Sequence, residues 1–185
     1  YLVSDSDTNV GDGVYIDDVA IAESDTSTMP YPFFDDFENG TGNWLVSGHD
    51  WAIDSTDARS GTYCMTDSPE GDYPSNAFSH IILARALDLS VATDPMLSFW
   101  YKMDLYSDSS DDVNVQVSVD NGSTWETVLN LSEYSYGDDT STWSYRQIDL
   151  SAYVGLSLKL RFYLTSDSDT NVGDGIYIDD VSIDG

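Results

Sequence analysis

Apolar and polar residues alternate along most of this chain, and that alternation restricts it to extended structure. Lys159, Arg161 and Tyr163 alternate with four apolar residues and therefore lie on the opposite face of their strand. A period of two residues is typical of a half-buried β-strand, and no segment carries a sustained helical period of 3.6 residues. The three clearest apolar rows are Leu97, Phe99, Tyr101 and Met103; Val113, Val115, Val117 and Val119; and Leu158, Leu160, Phe162 and Leu164.

Clusters of Gly, Asn, Asp and Ser separate the remaining strand candidates. Many short strands at this spacing predict an all-β fold, an antiparallel two-sheet β-sandwich of the jelly-roll type. With 185 residues, of which 41% are hydrophobic, the chain is long enough to bury the core of one large sandwich. The further strand candidates are residues 61–66, 78–88, 124–130, 143–150 and 175–183.

An internal repeat sets the domain organisation. Residues 1–23 and 163–185 are identical at 18 of 23 positions, so that Tyr1 corresponds to Tyr163. We interpret 1–23 as the closing hairpin of a preceding repeat, 24–33 as an extended linker, and 34–185 as one complete β-sandwich repeat. This predicts a head-to-tail array or filament, whose partners are neighbouring copies of the same repeat. The alternative is a fragment with a frayed N-terminal segment.

Acidic residues far outnumber basic ones: 34 Asp and Glu stand against 6 Lys and Arg, for a net charge of −28. This charge excludes nucleic acid and anionic membrane surfaces as expected partners, because both need clustered Lys and Arg. Of the acids 29 are Asp, which favours turns and coordinates hard cations. We therefore expect Ca²⁺ as the cofactor. Calcium is abundant outside cells, so we expect a secreted or cell-surface protein whose signal peptide is not in this chain.

The sequence lacks both a pair of cysteines and a long apolar run, and these absences limit how the chain can be stabilised and where it can lie. Cys64 is the only cysteine, so the chain cannot form an internal disulfide, and extracellular stability must come from the core or a metal. No apolar run approaches about 18 residues, so we expect no membrane insertion.

One turn has a specific signature. Residues 118–125 match the Asp-box hairpin pattern S-x-D-x-G-x-T-W. Asn121 and Gly122 accept positive φ, Asp120 can accept hydrogen bonds from turn amides, and Trp125 can pack beneath the hairpin. Asp boxes occur in sialidases and in many non-enzymes, so the motif predicts a structural turn rather than a glycosidase.

Four segments together resemble a known family. These are Asp35-Asp36-Phe37-Glu38, the loop 66–73, the Asp-box strand pair, and Gly175-Ile176-Tyr177-Ile178-Asp179-Asp180-Val181. They resemble the MAM-like jelly-roll domain appended to bacterial secreted proteins, including immune-inhibitor-A-type metallopeptidases. The resemblance implies a MAM- or concanavalin-like sandwich, secretion, multidomain or repeated chains, and no peptidase activity of its own. Animal MAM domains have disulfides, and this chain departs from that pattern.

The resemblance also implies a calcium site that joins the opening and closing segments. Asp36 and Glu38 are two residues apart and can face the same way, whereas Asp179 and Asp180 are adjacent and should face opposite sides. Only one of these adjacent carboxylates is then expected to reach the same ion directly. The expected ligands by resemblance are Asp36, Glu38 and Asp180, with Asp67 and Asp72 as further contributors and Asp179 on the other face. The alternative is that these carboxylates cap turns.

A second calcium loop is suggested by oxygen-bearing side chains at alternate positions followed by glycines. Its residues are Asp167, Asp169, Asn171 and Asp174, and the same loop recurs as Asp5, Asp7, Asn9 and Asp12. Position twelve from Asp167 is Ile178, so the loop is not an EF-hand. The alternative is a solvated acidic turn.

The function predicted from these features is a non-enzymatic, calcium-stabilised structural or adhesive repeat of a secreted surface protein or filament. No catalytic motif is present, and His49 and His80 are the only imidazoles. The alternative function is a carbohydrate-binding module, because exposed aromatic rings on a rigid sandwich can stack on sugars. The candidate glycan-stacking residues are Tyr106, Tyr134, Tyr136 and Trp143.

Overall fold

The alternating segments fold into two antiparallel β-sheets that pack face to face. The structure, a computed structural model, describes residues 27–48, 51–106, 110–132 and 142–185. The strands in these ranges are β1 (Phe33–Asp35), β2 (Trp44–Ser47), β3 (Ala52–Asp54), β4 (Cys64–Thr66), β5 (Phe78–Leu83), β6 (Leu87–Asp88), β7 (Met96–Asp104), β8 (Asp112–Ser118), β9 (Glu126–Asn130), β10 (Ser144–Asp149), β11 (Ser157–Thr165) and β12 (Gly175–Asp184).

The strand order places β12 inside one sheet and β11 inside the other. Sheet I has the order β10-β7-β12-β4-β3, with β1 pairing along the end of β12. Sheet II has the order β2-β5-β11-β8-β9, with β6 pairing along the start of β11. All strand pairs are antiparallel, so the predicted two-sheet jelly-roll sandwich is confirmed.

The core lies between the sheets and contains nearly all of the three predicted apolar rows. Every member of the rows beginning at Leu97 and Leu158 is buried, as are the first three valines of the row beginning at Val113. The fourth, Val119, is 51% exposed, contrary to the prediction, because β8 ends at Ser118 and the Asp-box turn begins there. Fully burying one such side chain contributes roughly 1.5–3 kcal/mol to stability.

The end of the predicted linker packs on the sandwich. The backbone N–H of Met29 donates to the carbonyl of Ala86 (2.7 Å), and that of Asp88 donates to the carbonyl of Met29 (3.0 Å). The Met29 side chain is buried in the core. The Tyr31 hydroxyl donates to the carbonyl of Gly185 (2.6 Å). The chain therefore enters and leaves the sandwich at the same end, which we call the terminal end; residues 1–26 lie outside the described residues.

Helical structure contributes little to the described ranges. The short 3-10 segment Ser151–Tyr153 lies between β10 and β11. No helix in the described part of the chain is long and apolar enough to cross a membrane.

Candidate functional site

The opening and closing segments of the repeat meet at the loop that precedes β4. Oε1 of Glu38 accepts hydrogen bonds from the backbone N–H groups of Thr62 (2.7 Å) and Tyr63 (2.6 Å). Gly61 adopts a φ of +61°, and a Cβ there would overlap the Glu38 carboxylate. From the other side, Oδ2 of Asp179 accepts from the backbone N–H of Ser60 (3.1 Å). Both carboxylates are thus held by one loop.

Asp179 and Asp180 do not follow the strict alternation expected of a strand. A β-bulge interrupts the pairing of β12 with β7 after Asp179, and Asp180 has a φ of +50°. The Ser60 hydroxyl donates to Oδ1 of Asp180 (2.8 Å), while the Ser60 N–H binds Asp179. Both neighbouring carboxylates therefore contact the same residue, because the bulge turns them toward it. Burial raises the pKa of Asp179 to about 6, and the charge of Asp180 adds to the effect.

Asp35 is a buried carboxylate that the sequence-based reasoning missed. Its Oδ1 accepts from the backbone N–H of Phe37 (2.9 Å), and its Oδ2 accepts from Nε1 of Trp44 (2.8 Å) and Nδ2 of Asn43 (3.0 Å). The predicted ligand Asp36 is half-buried and accepts one long bond from the N–H of Glu38 (3.3 Å). The signal for Asp35 was its position two residues from each of the buried Phe33 and Phe37, because residues two apart in a strand share a face.

The loop 66–73 places one predicted ligand, Asp67, in the interior and another, Asp72, at the surface. Oδ1 of Asp67 accepts from the backbone N–H of Ile176 (2.7 Å), so this side chain joins the loop to β12. Burial raises the pKa of Asp67 to about 6, and the neighbouring Asp174 raises it further. Asp72 is exposed. Asp174 accepts a hydrogen bond from the hydroxyl of Tyr177 (3.0 Å).

The acidic loop after β11 is a series of turns closed by its own side chains. Oδ1 of Asp167 accepts from the N–H of Asp169 (2.8 Å), and Oδ1 of Asp169 accepts from the N–H of Asn171 (2.7 Å). The N–H of Asp167 donates to Oδ1 of the buried Asp111 (3.0 Å), which fixes the start of the loop. Asp5, Asp7, Asn9 and Asp12 lie outside the described residues.

These oxygens have the chemistry that calcium prefers, but they accept hydrogen bonds from backbone amides and from side-chain donors such as the Ser60 and Tyr177 hydroxyls. Calcium takes six to eight oxygen ligands from carboxylates and carbonyls. Within the described ranges, no three His, Cys, Asp or Glu side chains converge closely enough to hold a metal ion. Three of the predicted ligands, Glu38, Asp179 and Asp180, are held by one loop. Calcium binding therefore stays a prediction.

The predicted aromatic residues occupy different environments. Tyr106 follows β7 and is 47% exposed, while Trp143 precedes β10 and is half-buried. Tyr134 and Tyr136 lie outside the described residues. Of the two predicted stacking residues that the structure describes, Tyr106 is thus the one at the surface.

A row of planar side chains crosses the outer face of sheet II. The guanidinium of Arg161 lies 4.2 Å from the centre of the Trp125 ring and 4.7 Å from that of Tyr163. The rings of Tyr163 and His80 are 5.9 Å apart in an edge-to-face arrangement. We call these four residues the planar row. It follows the strand pairing, because Arg161 is opposite Gln116 and Tyr163 is opposite His80.

Two amide side chains lie beside the planar row, and Lys159 precedes Arg161 on the same face of β11. Asn114 is paired with Tyr163, and the side chain of Gln116 accepts a hydrogen bond from Nε of Arg161 (2.7 Å). Phe78, 66% exposed, lies on β5 two residues from His80. Burial and the charge of Arg161 lower the pKa of His80, so the imidazole is neutral at pH 7. The face therefore combines aromatic rings with two amides and the positive charges of Arg161 and Lys159.

The outer face of sheet I differs because a loop covers it. The guanidinium of Arg59 lies 4.0 Å from the centre of the Trp100 ring, and Nζ of Lys102 binds Oδ2 of Asp57 at 2.6 Å. Both Arg59 and Asp57 belong to the loop before β4. Among the described residues, sheet II is consequently the sheet with an open outer face.

The Asp-box hairpin has the predicted geometry and supports one end of the planar row. Oδ1 of Asp120 accepts from the N–H of Thr124 (2.8 Å), and Nε1 of Trp125 donates to the carbonyl of Gly122 (3.1 Å). The Thr124 hydroxyl donates to Asp120 and lowers the pKa of that carboxyl to about 2. Asn121 and Gly122 have φ of +58° and +90°, as predicted. The hairpin thus fixes the ring that stacks on Arg161.

Solved structures share this architecture. The K3 cleaved adhesin domain of Lys-gingipain from Porphyromonas gingivalis W83 matches with a TM-score of 0.58 and 19% identity, covering 82% of this chain and 97% of that one. TmCBM61, solved in complex with β-1,4-galactotriose, matches with a TM-score of 0.53 and 18% identity, covering 80% and 92%. At these identities the likeness is one of fold.

Sequence relatives define the family. Bacillopeptidase F of Bacillus subtilis (strain 168) is 30% identical over 155 residues, a match that covers 79% of this chain and 10% of that protein. The chain thus spans about a tenth of the length of this curated relative. The sequence profile of the MAM domain (meprin/A5/mu) matches residues 35–185, which include every strand from the end of β1 onward. The resemblance predicted from the sequence is confirmed, and the chain belongs to the MAM domain family.

Proposed function

We propose that this chain is a non-catalytic adhesive domain of a secreted or cell-surface protein, and that it binds neutral polysaccharide on the outer face of sheet II. The planar row is the observation that carries the proposal. Its four flat side chains lie in the order Trp125, Arg161, Tyr163 and His80 across the open face of the sheet. The distances between successive members are 4.2, 4.7 and 5.9 Å. The apolar faces of sugar rings stack on such groups, as an apolar ligand face stacks on an aromatic one.

The surroundings of the planar row favour a neutral ligand. Asn114 offers an amide donor and acceptor of the kind that binds sugar hydroxyls, while the Gln116 amide binds Arg161 and Thr127 and holds the row in place. The net charge of −28 repels a polyanion at a distance, so a strongly acidic polymer is a poor match for the whole molecule. TmCBM61, which shares this fold, was solved in complex with β-1,4-galactotriose, and β-1,4-galactan is therefore the first polysaccharide to test.

Affinity electrophoresis tests this proposal. The chain is run in native gels containing β-1,4-galactan, xylan or, as the acidic comparison, polygalacturonate. We expect retardation by at least one neutral polymer, and Tyr163→Ala should weaken it about tenfold, which corresponds to about 1.4 kcal/mol. Tyr145→Ala is the matched control, because Tyr145 is 46% exposed on sheet I. Absence of retardation by both neutral polymers, or equal effects of the two variants, would contradict the proposal.

A structural role as a tandem repeat is the second candidate function. The internal match of 18 in 23 residues between 1–23 and 163–185 supports an array of such domains. The buried Asp179, with Asp180 and Glu38 on the same loop, supports stabilisation of each domain by calcium. An intact mass of the natural protein tests the array. A mass near the 20.4 kDa of these 185 residues would contradict it, and a mass several times larger would support it.

A catalytic role is not proposed. The carboxylates with raised pKa, Asp67 and Asp179, accept hydrogen bonds from backbone amides in the interior, where no substrate reaches them. The described histidine, His80, stacks edge-on against Tyr163 within the planar row. The imidazole of the planar row thus faces a phenol ring and a guanidinium rather than a carboxylate, which fits adhesion better than hydrolysis.

A further inference from the structure

We infer that neighbouring repeats of this chain contact each other through their terminal ends, rather than stacking head to tail. The inference rests on the tandem-repeat part of the proposed function and replaces the head-to-tail arrangement expected from the sequence. Its basis is the position of the two ends of the domain, which the hydrogen bond from Tyr31 to Gly185 holds together.

The length of free chain between two repeats limits how they can be arranged. Because 1–23 aligns with 163–185, Glu23 is the equivalent of Gly185 in the preceding copy. Ser27 is already attached to this domain, because Nη1 of Arg85 donates to its hydroxyl (3.0 Å), and Met29 pairs with β6. Four residue steps therefore separate the end of one repeat from the start of the next. Even fully extended, they span at most about 14 Å.

Head-to-tail stacking needs a longer connection. Strand β11 runs the length of the sandwich, and its 9 residues correspond to about 30 Å. In a head-to-tail stack, the terminal ends of successive domains would be at least that far apart. A connection of about 14 Å brings the two terminal ends together instead. The loops at the opposite end, including the acidic loop after Asp167, then point away from the contact.

The terminal end carries an apolar patch suited to such a contact. Its members lie on neighbouring turns, since the N–H of Gly155 donates to the carbonyl of Leu89 (3.0 Å), and Val119 and Tyr153 line one pocket of about 120 Å³. We call it the terminal patch, and we infer that the equivalent patch of the adjoining repeat covers it. The members and their exposed fractions are Val91 (73%), Val119 (51%), Val154 (40%) and Leu156 (44%).

Distances between spin labels in a two-repeat chain test the inference. The chain is residues 1–185 followed by a second copy of 24–185. It is labelled at Thr93→Cys in both copies to report on the terminal ends, or at Thr170→Cys in both to report on the opposite ends. Cys64 stays unlabelled, because it is buried and its pKa is raised to about 12. Measurements at high NaCl concentration screen the carboxylates near the terminal patch, such as Asp94.

We expect a Thr93 pair distance below about 35 Å and a Thr170 pair distance above about 60 Å, given domains about 30 Å long. Equal distances for the two pairs would show head-to-tail stacking and overturn the inference. Val154→Glu should broaden the Thr93 distribution, while Val46→Glu, at a valine 44% exposed on β2, should not. Equal behaviour of these variants, with both still folded by circular dichroism, would also overturn it. The mass of the natural protein separately tests whether the repeat is present.

Discussion

The indole nitrogen Nε1 of Trp44 donates a 2.8 Å hydrogen bond to Oδ2 of Asp35 inside the core of the sandwich. Asp35 lies on β1, which pairs with β12, and Trp44 begins β2 in the opposite sheet. The Trp44 ring packs with its centre 6.0 to 6.2 Å from those of Phe33, Phe37 and Phe162. One buried carboxylate thus links the two sheets at the start of the repeat.

Replacing Asp35 should destabilise the domain strongly. Asp35→Ala would leave the N–H of Phe37 and the Nε1 of Trp44 without their acceptor, and unsatisfied buried donors cost about 1–3 kcal/mol each. We expect a loss of about 3 kcal/mol in the free energy of unfolding, measured with urea. Asp36→Ala is the control, and it should cost well under about 1 kcal/mol because Asp36 accepts one long bond. Similar losses for the two variants would contradict the role given to Asp35.

The stability of the domain should depend on the protonation of Asp67. Its folded pKa of about 6 is above the unfolded value of about 3.9, so the folded state holds the proton more tightly. The stabilisation from protonation is fully present below about pH 4 and is lost as pH rises through 6. In EDTA, Asp67→Asn keeps an acceptor for Ile176 and should be more stable than wild type by about 2–3 kcal/mol at pH 7.5.

The same comparison at pH 4 provides the internal check. There the wild-type carboxyl is largely protonated, so the advantage of Asp67→Asn should disappear. Asp72→Asn removes a charge from the exposed part of the same loop and should give a small effect at both pH values. Urea unfolding of the three proteins at both pH values decides the matter. An advantage of Asp67→Asn that is unchanged at pH 4 would refute the assignment.

Calcium should raise the melting temperature of the domain if it binds to the three carboxylates held by the loop before β4, those of Glu38, Asp179 and Asp180. A ligand present at 100 times its dissociation constant stabilises a fold by about 2.7 kcal/mol. We expect differential scanning calorimetry to show a higher melting temperature in calcium than in EDTA, and a smaller rise in magnesium, which prefers a tighter octahedral site. Asp180→Asn should remove most of the calcium effect. An identical melting temperature in calcium and in EDTA would rule out a stabilising ion.

The Asp-box turn should not tolerate a side chain at Gly122. Gly122 has a φ of +90°, and a Cβ there would lie 3.4 Å from the Trp125 ring. Gly122→Ala should cost about 1 kcal/mol or more of stability, measured by thermal unfolding. Gly42→Ala is the matched control, because a Cβ at Gly42 meets nothing within 4 Å and its φ is not positive. Equal melting temperatures for the two variants would show that the turn does not require glycine at position 122, and would contradict the role given to the turn in holding Trp125.

The parts of the fold that follow from local alternation were predictable. The strands around Phe99 and Phe162 were located because burial on one face imposes a period of two. The candidate strand 61–66 is shorter than predicted, since β4 begins at Cys64 and the preceding residues form the loop that holds Glu38 and Asp179. A residue composition that favours strands does not show where the chain must leave the strand and form a loop over the outer face of its own sheet.

The candidate site was harder to predict because its residues are brought together by strand order. Tyr163 and Arg161 were placed on an outward face from the sequence, but their neighbours His80 and Trp125 come from distant segments of the chain. Nothing in the local pattern pairs β11 with β5. The bulge at Asp179 was likewise invisible, because it depends on the positive φ of Asp180.

The central place of β12 in sheet I governs when the domain can be made. This strand, which ends just before Gly185, pairs with β7 on one side and with β4 and β1 on the other. During synthesis, sheet I therefore lacks its central strand, β12, until the last residues of the domain have left the ribosome. The domain therefore cannot complete its fold until its final strand emerges, and a chain that stops before Gly175 would lack the strand on which sheet I is centred.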